Sequence, residues 1–230
     1  MMFPLKALPA SRWLRWLICT GLFALLLWLL TLLKIDLIIA DWLYAIEGNS
    51  WSLRSAWFTK TLIHEGGRQL SFAVTLVVVG LIAASMFFQG LKRFRSGLSW
   101  LLLSAVISAA VINLLKQFTG VECPWNLERY GGDALWRGFW DSVGNGGEGQ
   151  CFPAGHASAA WAWIGIYFLA ASAWPARRWM VLGVIVFTGV TFGVGQQLRG
   201  AHFLSHDLVT IYICWSVAYL LAPRIRVSTG

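Results

Sequence analysis

The sequence predicts an all-α, polytopic membrane protein with six transmembrane helices and with further helices and loops at the outer interface. Of its 230 residues, 58% are hydrophobic and 12% are charged, whereas soluble globular domains carry about 25% charged residues. The 15 Trp and 14 Phe are typical of a protein whose rings gather at membrane interfaces. This composition excludes disordered, collagenous and disulfide-dense classes.

Six uncharged, apolar runs approach the length of about 20 residues that a membrane-spanning helix needs. They are Leu17–Leu33, Leu70–Leu91, Gly97–Leu115, Ala157–Trp174, Trp179–Gln197 and Leu208–Ala222. We expect the first run to stay in the mature protein, because no small-residue cleavage site follows it. Residues 1–230 then form one membrane domain whose outer segments are 34–69, 116–156 and 198–207.

The charges predict the orientation, because Lys and Arg accumulate in short cytoplasmic segments near span ends. With the N-terminus inside, ten of the 18 basic residues and none of the ten acidic residues fall in inner segments. These ten are Lys6, Arg12, Arg15, Lys92, Arg93, Arg95, Arg177, Arg178, Arg224 and Arg226. Topology therefore accounts for the net charge of +8, and a nucleic-acid partner is not needed to explain it.

The outer segment Asp36–Arg68 mixes apolar and charged residues. This pattern predicts amphipathic helices that lie along the outer leaflet and serve in packing or anchoring.

Three polar clusters fall at the predicted outer ends of the spans. The first begins at Lys116 and reads KQFTGVECPW, the second is CFPAGHAS at residues 151–158, and the third is RGAHFLSHD at residues 199–207. Ionisable groups at span ends indicate function, because their burial is costly unless they are paired or solvated. Taken singly, each cluster also has a structural explanation as a snorkelling lysine, a helix start or an interfacial loop.

Together the clusters suit phosphate chemistry. The turn at Gly155 opens a helix, whose free N–H groups and dipole favour an anion, and Lys116 and Arg199 add cations. Two histidines allow one to attack phosphorus while the other moves a proton. No metal or other cofactor is required for that scheme, although His202 and His206, four residues apart, leave metal or haem binding as an alternative.

In this order, the clusters resemble the signature of the type 2 phosphatidic acid phosphatase superfamily, K-x6-RP, PSGH and SR-x5-H-x3-D. The first block reads Lys116, six residues, Cys123 and Pro124, and the second reads Pro153, Ala154, Gly155 and His156. In the third block, His202 stands at the family histidine and Gln196 stands six residues before it, in place of the usual arginine.

The resemblance implies that His202 is the nucleophile and that His156 is the general acid for the leaving group. It also implies that Lys116 and Arg199 hold phosphate oxygens together with the backbone of Ala154 and Gly155. His206 is a second candidate nucleophile.

Three departures from the signature leave roles open. Cys123 replaces a cation that Arg129 or Arg137 is then expected to supply, and Ala154 lacks the usual serine hydroxyl. In the signature, the acid that orients the nucleophile stands four residues after it, where this sequence has His206. Asp207, one residue later, either takes over that orienting role or only marks the start of a helix.

Cys123 and Cys151 flank the first two blocks in the predicted outer loop. We expect a disulfide between them, joining two blocks that an arginine would otherwise link through phosphate, if that side of the membrane is oxidising. Two unpaired thiols are the alternative.

The resemblance implies a metal-independent lipid phosphatase in the bacterial inner membrane, with both termini cytoplasmic and the site on the periplasmic side. Its partners would be the bilayer and a membrane lipid phosphate: undecaprenyl diphosphate, phosphatidylglycerol phosphate, phosphatidic acid or a lipid A phosphate. The alternatives are phosphoryl transfer to a lipid acceptor and an inactive lipid-binding or transport protein.

Overall fold

The computed structural model describes residues 10–138, 142 and 149–222, and within these ranges it is a helical bundle without a β-strand. Its helices are α1 (Ala10–Leu32), α2 (Ile35–Ile46), α3 (Gly66–Phe87), α4 (Gln89–Thr119), α5 (Ser158–Ala173), α6 (Arg178–Leu198) and α7 (Leu204–Leu221). A π-helical segment, Phe58–Glu65, runs directly into α3. Lys6, Arg224, Arg226 and part of the predicted loop 116–156 lie outside the described residues.

Five helical stretches of the described chain are long and apolar enough to cross a membrane: Ala10–Leu32, Phe58–Phe87, Gln89–Asn126, Pro175–Leu198 and Leu204–Leu221. The predicted span at 157–174 corresponds to α5, which is shorter and contains a 3₁₀ turn at Ala162–Ile164. The helix ends at Ala173, and Pro175 restricts the residue before it, Trp174, to non-helical backbone. The length criterion thus supports five of the six predicted spans.

Two predicted boundaries are wrong. The stretch Phe58–Glu65 is not a separate interfacial helix, because Gly66 keeps a helical backbone and the chain continues into α3. The turn between α3 and α4 is at Phe88, so Lys92, Arg93 and Arg95 lie in α4 rather than in a loop. Long basic side chains can extend from a helix toward the interface, so their charges do not require a loop there.

Helix α5 lies at the centre of the bundle, where α3, α4, α6 and α7 pack around it. Its Trp161, Trp163 and Ile164 belong to the main apolar core together with Trp100 of α4 and Cys214 of α7. The position of α5 places its first turn in the middle of the end at which α4 and α6 finish and α7 begins. We call this the site end.

Helix α1 has no buried residue and packs along α7. Trp16 donates to the Ser216 hydroxyl at 3.1 Å, and the hydroxyls of Thr20 and Tyr212 lie 2.6 Å apart. Such polar contacts and close packing hold helices together in lipid, where no hydrophobic force drives their association.

The start of α7 is capped by Asp36 of α2. The Ser205 backbone N–H donates to one carboxylate oxygen at 2.9 Å, and the Ser205 hydroxyl donates to the other. A carboxylate at this position bonds N–H groups that have no helical acceptor and favours the positive end of the helix dipole. Burial nevertheless raises the pKa of Asp36, against the opposing effect of the two Ser205 hydrogen bonds.

We predict that Asp36→Ala lowers the free energy of unfolding by about 1 to 2 kcal/mol, the usual cost of a lost helix cap. Asp36→Asn keeps one acceptor oxygen and should lose less. Thermal unfolding in detergent measures both variants beside the wild type. Equal stability of Asp36→Ala and the wild type would contradict the capping role.

Candidate active site

The three sequence clusters meet at the site end. Lys116 is in the last turn of α4, and Arg199 follows α6 directly. His156 lies just before α5, and His202 lies just before α7. Four helix ends therefore bring two cations and two imidazoles into one region.

The loop before α5 is held by neighbouring helices through its backbone. The Thr119 hydroxyl of α4 donates to the Phe152 carbonyl at 2.7 Å, and the Thr210 hydroxyl of α7 donates to the Ala154 carbonyl at 3.1 Å. The Ala154 N–H in turn donates to the His206 carbonyl at 3.3 Å. Buried backbone groups need such partners, so this loop has a defined place against α4 and α7.

A disulfide joins Cys123 to Cys151, whose Cα atoms are 5.2 Å apart. Next to it, the Cys151 N–H donates to the Val121 carbonyl at 3.0 Å. The chain after α4 and the loop before α5 are therefore linked both covalently and by a hydrogen bond.

The Lys116 ammonium lies directly against the turn at Gly155. A Cβ atom added to Gly155 would be 3.2 Å from the Lys116 Nζ atom, a tight contact that would push the ammonium slightly away from the turn. Glycine at this position allows the cation to approach the first turn of α5, whose N–H groups have no helical acceptor. An anion bound there would meet the ammonium and the helix start together.

Arg199 is buried and is held by neutral groups. Its Nε atom donates to the Arg54 carbonyl at 2.9 Å, and its Nη1 atom donates to the Gln196 side-chain oxygen at 3.1 Å. Gln196, which replaces the family arginine, thus orients the arginine that is present. Burial, and then the charge of Arg54, lowers the pKa of Arg199, against the opposing effect of Glu65.

Burial favours the neutral form of the histidines on the loops. His202 is 5% exposed, and its pKa lies well below 6.5 because of burial first and then the proximity of His206, Lys116 and His156. The pKa of His156 falls to about 3 through burial, His64, Lys116 and Arg199, in that order. The imidazole of His202 is therefore unprotonated near neutral pH, as a nucleophile must be.

A third histidine, His64, belongs to the same region. Its ring centroid is 3.7 Å from that of His156, and the two ring planes are inclined by 32°. The sequence predicts His64 only as part of the amphipathic segment Asp36–Arg68, without a role in the site. The sequence feature that could have identified His64 is its position with Arg68 at the start of α3, where one residue lies just before the helix and the other just inside it.

The family assignment rests on the match of a family model, described as the PAP2 superfamily, to residues 97–228. The chain belongs to the PAP2 superfamily. This confirms the resemblance drawn from the motifs, and the matched region contains Lys116, His156, Arg199 and His202. PAP2 proteins are generally phosphatases, which supports phosphoric ester hydrolysis as the general activity. No curated protein and no solved structure matches the chain.

Asp207 of this PAP2 chain is turned toward α6. One of its carboxylate oxygens accepts a hydrogen bond from the Gln197 amide at 2.7 Å, and the other has no partner in the described part of the chain. Asp207 lies in the first turn of α7 and is 5% exposed. The structure therefore shows Asp207 at a helix start and does not show a hydrogen bond from it to His202.

His206 is 2% exposed, and its ring centroid is 5.7 Å from that of His202. The Nδ1 atoms of both rings have no hydrogen-bond partner among the described residues. The two rings are alike in this respect, so His206 stays beside His202 as a candidate nucleophile.

The two arginines proposed to replace the missing cation at Cys123 differ in their surroundings. Arg129 is exposed and forms a two-pronged ion pair with Asp41, at 2.7 and 2.6 Å. Arg137 lines a mostly apolar crevice of about 190 Å³ that also reaches His206. Arg129 is therefore already engaged by a carboxylate, whereas Arg137 borders the same crevice as His206.

The described chain gives no support to the alternative of a metal site at His202 and His206. No group of three or more His, Cys, Asp or Glu residues is placed there to hold an ion.

We predict that this PAP2 protein loses stability in acid. The pKa values of His156 and His202 lie below 6.5 in the folded state and return to about 6.5 on unfolding, so the unfolded chain binds more protons below that pH. The stabilisation is complete above about pH 6.5 and is lost as the pH falls, by up to about 1.4 kcal/mol per pH unit for each histidine.

Thermal midpoints in detergent, measured from about pH 7 down to about pH 5, should therefore decrease for the wild type. A variant with both His156→Asn and His202→Asn should show a shallower decrease. A midpoint that is independent of pH in the wild type would contradict the neutral state of these histidines.

Proposed function

We propose that the chain is an integral membrane lipid phosphatase that hydrolyses a lipid phosphomonoester or diphosphate through a phosphohistidine intermediate. One observation carries this proposal: Lys116 and Arg199, which have no acidic partner in the described chain, converge with neutral histidines at the start of α5. Unpaired cations beside a helix N-terminus suit a phosphate dianion, which would supply the missing negative charge.

In the first step, a ring nitrogen of His202 attacks phosphorus while Lys116, Arg199 and the N–H groups of the α5 turn hold the phosphate oxygens. The bond from phosphorus to the leaving oxygen breaks, and that oxygen takes a proton from His156. Binding of the phosphate dianion favours the protonated form of His156, because an added negative charge offsets the cations that otherwise oppose it.

In the second step, water attacks the phosphorus of the phosphohistidine. His156 accepts the proton of the water, and the electron pair of the nitrogen–phosphorus bond returns to His202. Inorganic phosphate leaves, and both histidines recover their starting states. A lipid hydroxyl in place of water would make the same chemistry a transfer between lipids.

The substrate is proposed to be a lipid because the cluster lies at the ends of helices of membrane-spanning length. The crevice that reaches His206 is lined mainly by apolar residues, including Leu27 and Trp28 of α1, which suits a hydrocarbon chain. Undecaprenyl diphosphate, phosphatidylglycerol phosphate, phosphatidic acid and lipid A phosphate are the substrates that the family resemblance suggests.

The proposed location is the bacterial inner membrane, with six spans, both termini in the cytoplasm and the site on the periplasmic side. The charges of the described chain support this orientation. All its acidic residues lie toward the site end, whereas Arg12, Lys92, Arg93, Arg95, Arg177 and Arg178 lie toward the other end. Basic residues favour the cytoplasmic side.

We expect His202→Ala to abolish phosphate release from a panel of these lipid phosphates, because the bond to phosphorus can no longer form. Wild-type protein quenched during turnover of a labelled substrate should carry an acid-labile phosphoryl group that His202→Ala lacks. Loss of this label in His206→Ala, and not in His202→Ala, would assign the nucleophile to His206. Binding without release by the wild type would indicate a lipid-binding protein.

Arg199→Ala should reduce phosphate release by about 10² to 10³-fold, the usual cost of one donor aimed at developing charge. Gln196→Ala should cost less, because it removes only one of the two hydrogen bonds that orient Arg199. Arg129→Ala is the matched arginine control and should stay near the wild-type rate, since Asp41 engages that side chain. A larger loss in Arg129→Ala than in Arg199→Ala would contradict this arrangement.

A further inference from the structure

One face of the His156 ring is covered by His64. The ring centroids are 3.7 Å apart and the planes are inclined by 32°, so the two rings are in direct contact. His64 lies outside the residues 97–228 that the family model matches. The signature blocks of the superfamily therefore do not account for this contact.

The backbone that carries His64 has an uncommon form. Phe58–Glu65 is π-helical, and such turns are rare and occur frequently at functional sites. Thr59 is 1% exposed, and its hydroxyl donates to the Ala56 carbonyl at 3.1 Å, which fixes the beginning of the segment.

Helix α6 holds the same segment from the side. A Cβ atom added to Gly195 would be 2.7 Å from the Ile63 side chain, so only glycine permits this approach. Ile63 precedes His64, and Gly195 lies one turn before Arg199. The contact therefore sets the position of His64 relative to both Arg199 and His156.

Three cations lie near His64, namely Arg199 after α6, Arg68 in α3 and Lys60 in its own segment, and Glu65 is the adjacent carboxylate. His156 faces it across the stack. Two like charges at this distance disfavour each other, so only one ring of the pair takes a proton easily.

We propose that His64 is a positioning residue whose neutral ring fixes the plane of His156 for proton delivery to the leaving oxygen. This assignment rests on the proposed phosphatase function. His64 forms no bond to phosphorus and donates no proton. It acts by holding His156 in one orientation.

The experiment compares two phosphate esters that differ in their need for a general acid. Octyl phosphate releases a strongly basic alkoxide that must be protonated, whereas p-nitrophenyl phosphate releases a stable phenolate. The measured quantity is kcat/KM, which covers steps up to formation of the phosphohistidine. General acid catalysis contributes about 10² to 10⁴-fold, so loss of its alignment should remove part of that factor for octyl phosphate alone.

We expect His64→Ala and His64→Leu to lower kcat/KM for octyl phosphate by about 10 to 100-fold, with a much smaller loss for p-nitrophenyl phosphate. His64→Phe keeps a ring face and should restore most of the loss. Leu62→Ala, an exposed neighbour on the same π-helical segment, is the matched control and should behave as wild type. Orthovanadate binding and the thermal midpoint show that each variant is folded.

Equal losses on both esters would overturn the proposal, because a general structural defect does not depend on the leaving group. The proposal would also be overturned if His64→Phe lowered kcat/KM for octyl phosphate as much as His64→Ala does, because a ring nitrogen of His64 would then be required. Wild-type protein that releases phosphate from neither ester nor any lipid phosphate would refute the phosphatase function itself, and the His64 assignment with it.

Discussion

The arrangement of the site depends on the need to satisfy the buried backbone of the loop before α5. Burying an unpaired backbone group costs about as much as a lost hydrogen bond. Thr119 of α4 and Thr210 of α7 supply donors to this loop, and the His206 carbonyl supplies an acceptor. These bonds draw the ends of α4, α5 and α7 together, and with them the three motif blocks.

Near this loop, Lys116 and Arg199 form no ion pair within the described chain. Arg199 is held by the Gln196 amide and a backbone carbonyl, and Lys116 rests against Gly155. Asp207 is directed to Gln197, away from these cations. A carboxylate paired with either cation would compete with a bound phosphate for it. The replacement of the family arginine by Gln196 is thus compatible with phosphate binding, because the glutamine orients a neighbouring arginine.

The two ends of the bundle differ in charge, and this difference links topology to chemistry. In the described chain, the charged side chains at the end opposite the site are all basic, whereas the acidic residues lie at the site end. Asp36 and Asp41 bind Ser205 and Arg129, so they serve as local partners for a helix start and a loop. The acidic residues at this end therefore stabilise the structure around the cationic cluster without neutralising it.

The sequence by itself determined the all-α membrane class, most helix positions and the blocks around Lys116, His156 and His202, because apolar runs and motif spacings are local along the chain. The tertiary structure alone decided that Asp207 turns to Gln197 and that His64 stacks on His156. These features depend on which faces of distant helices meet. Local periodicity carries no information on such contacts, since packing between segments far apart in the chain decides them.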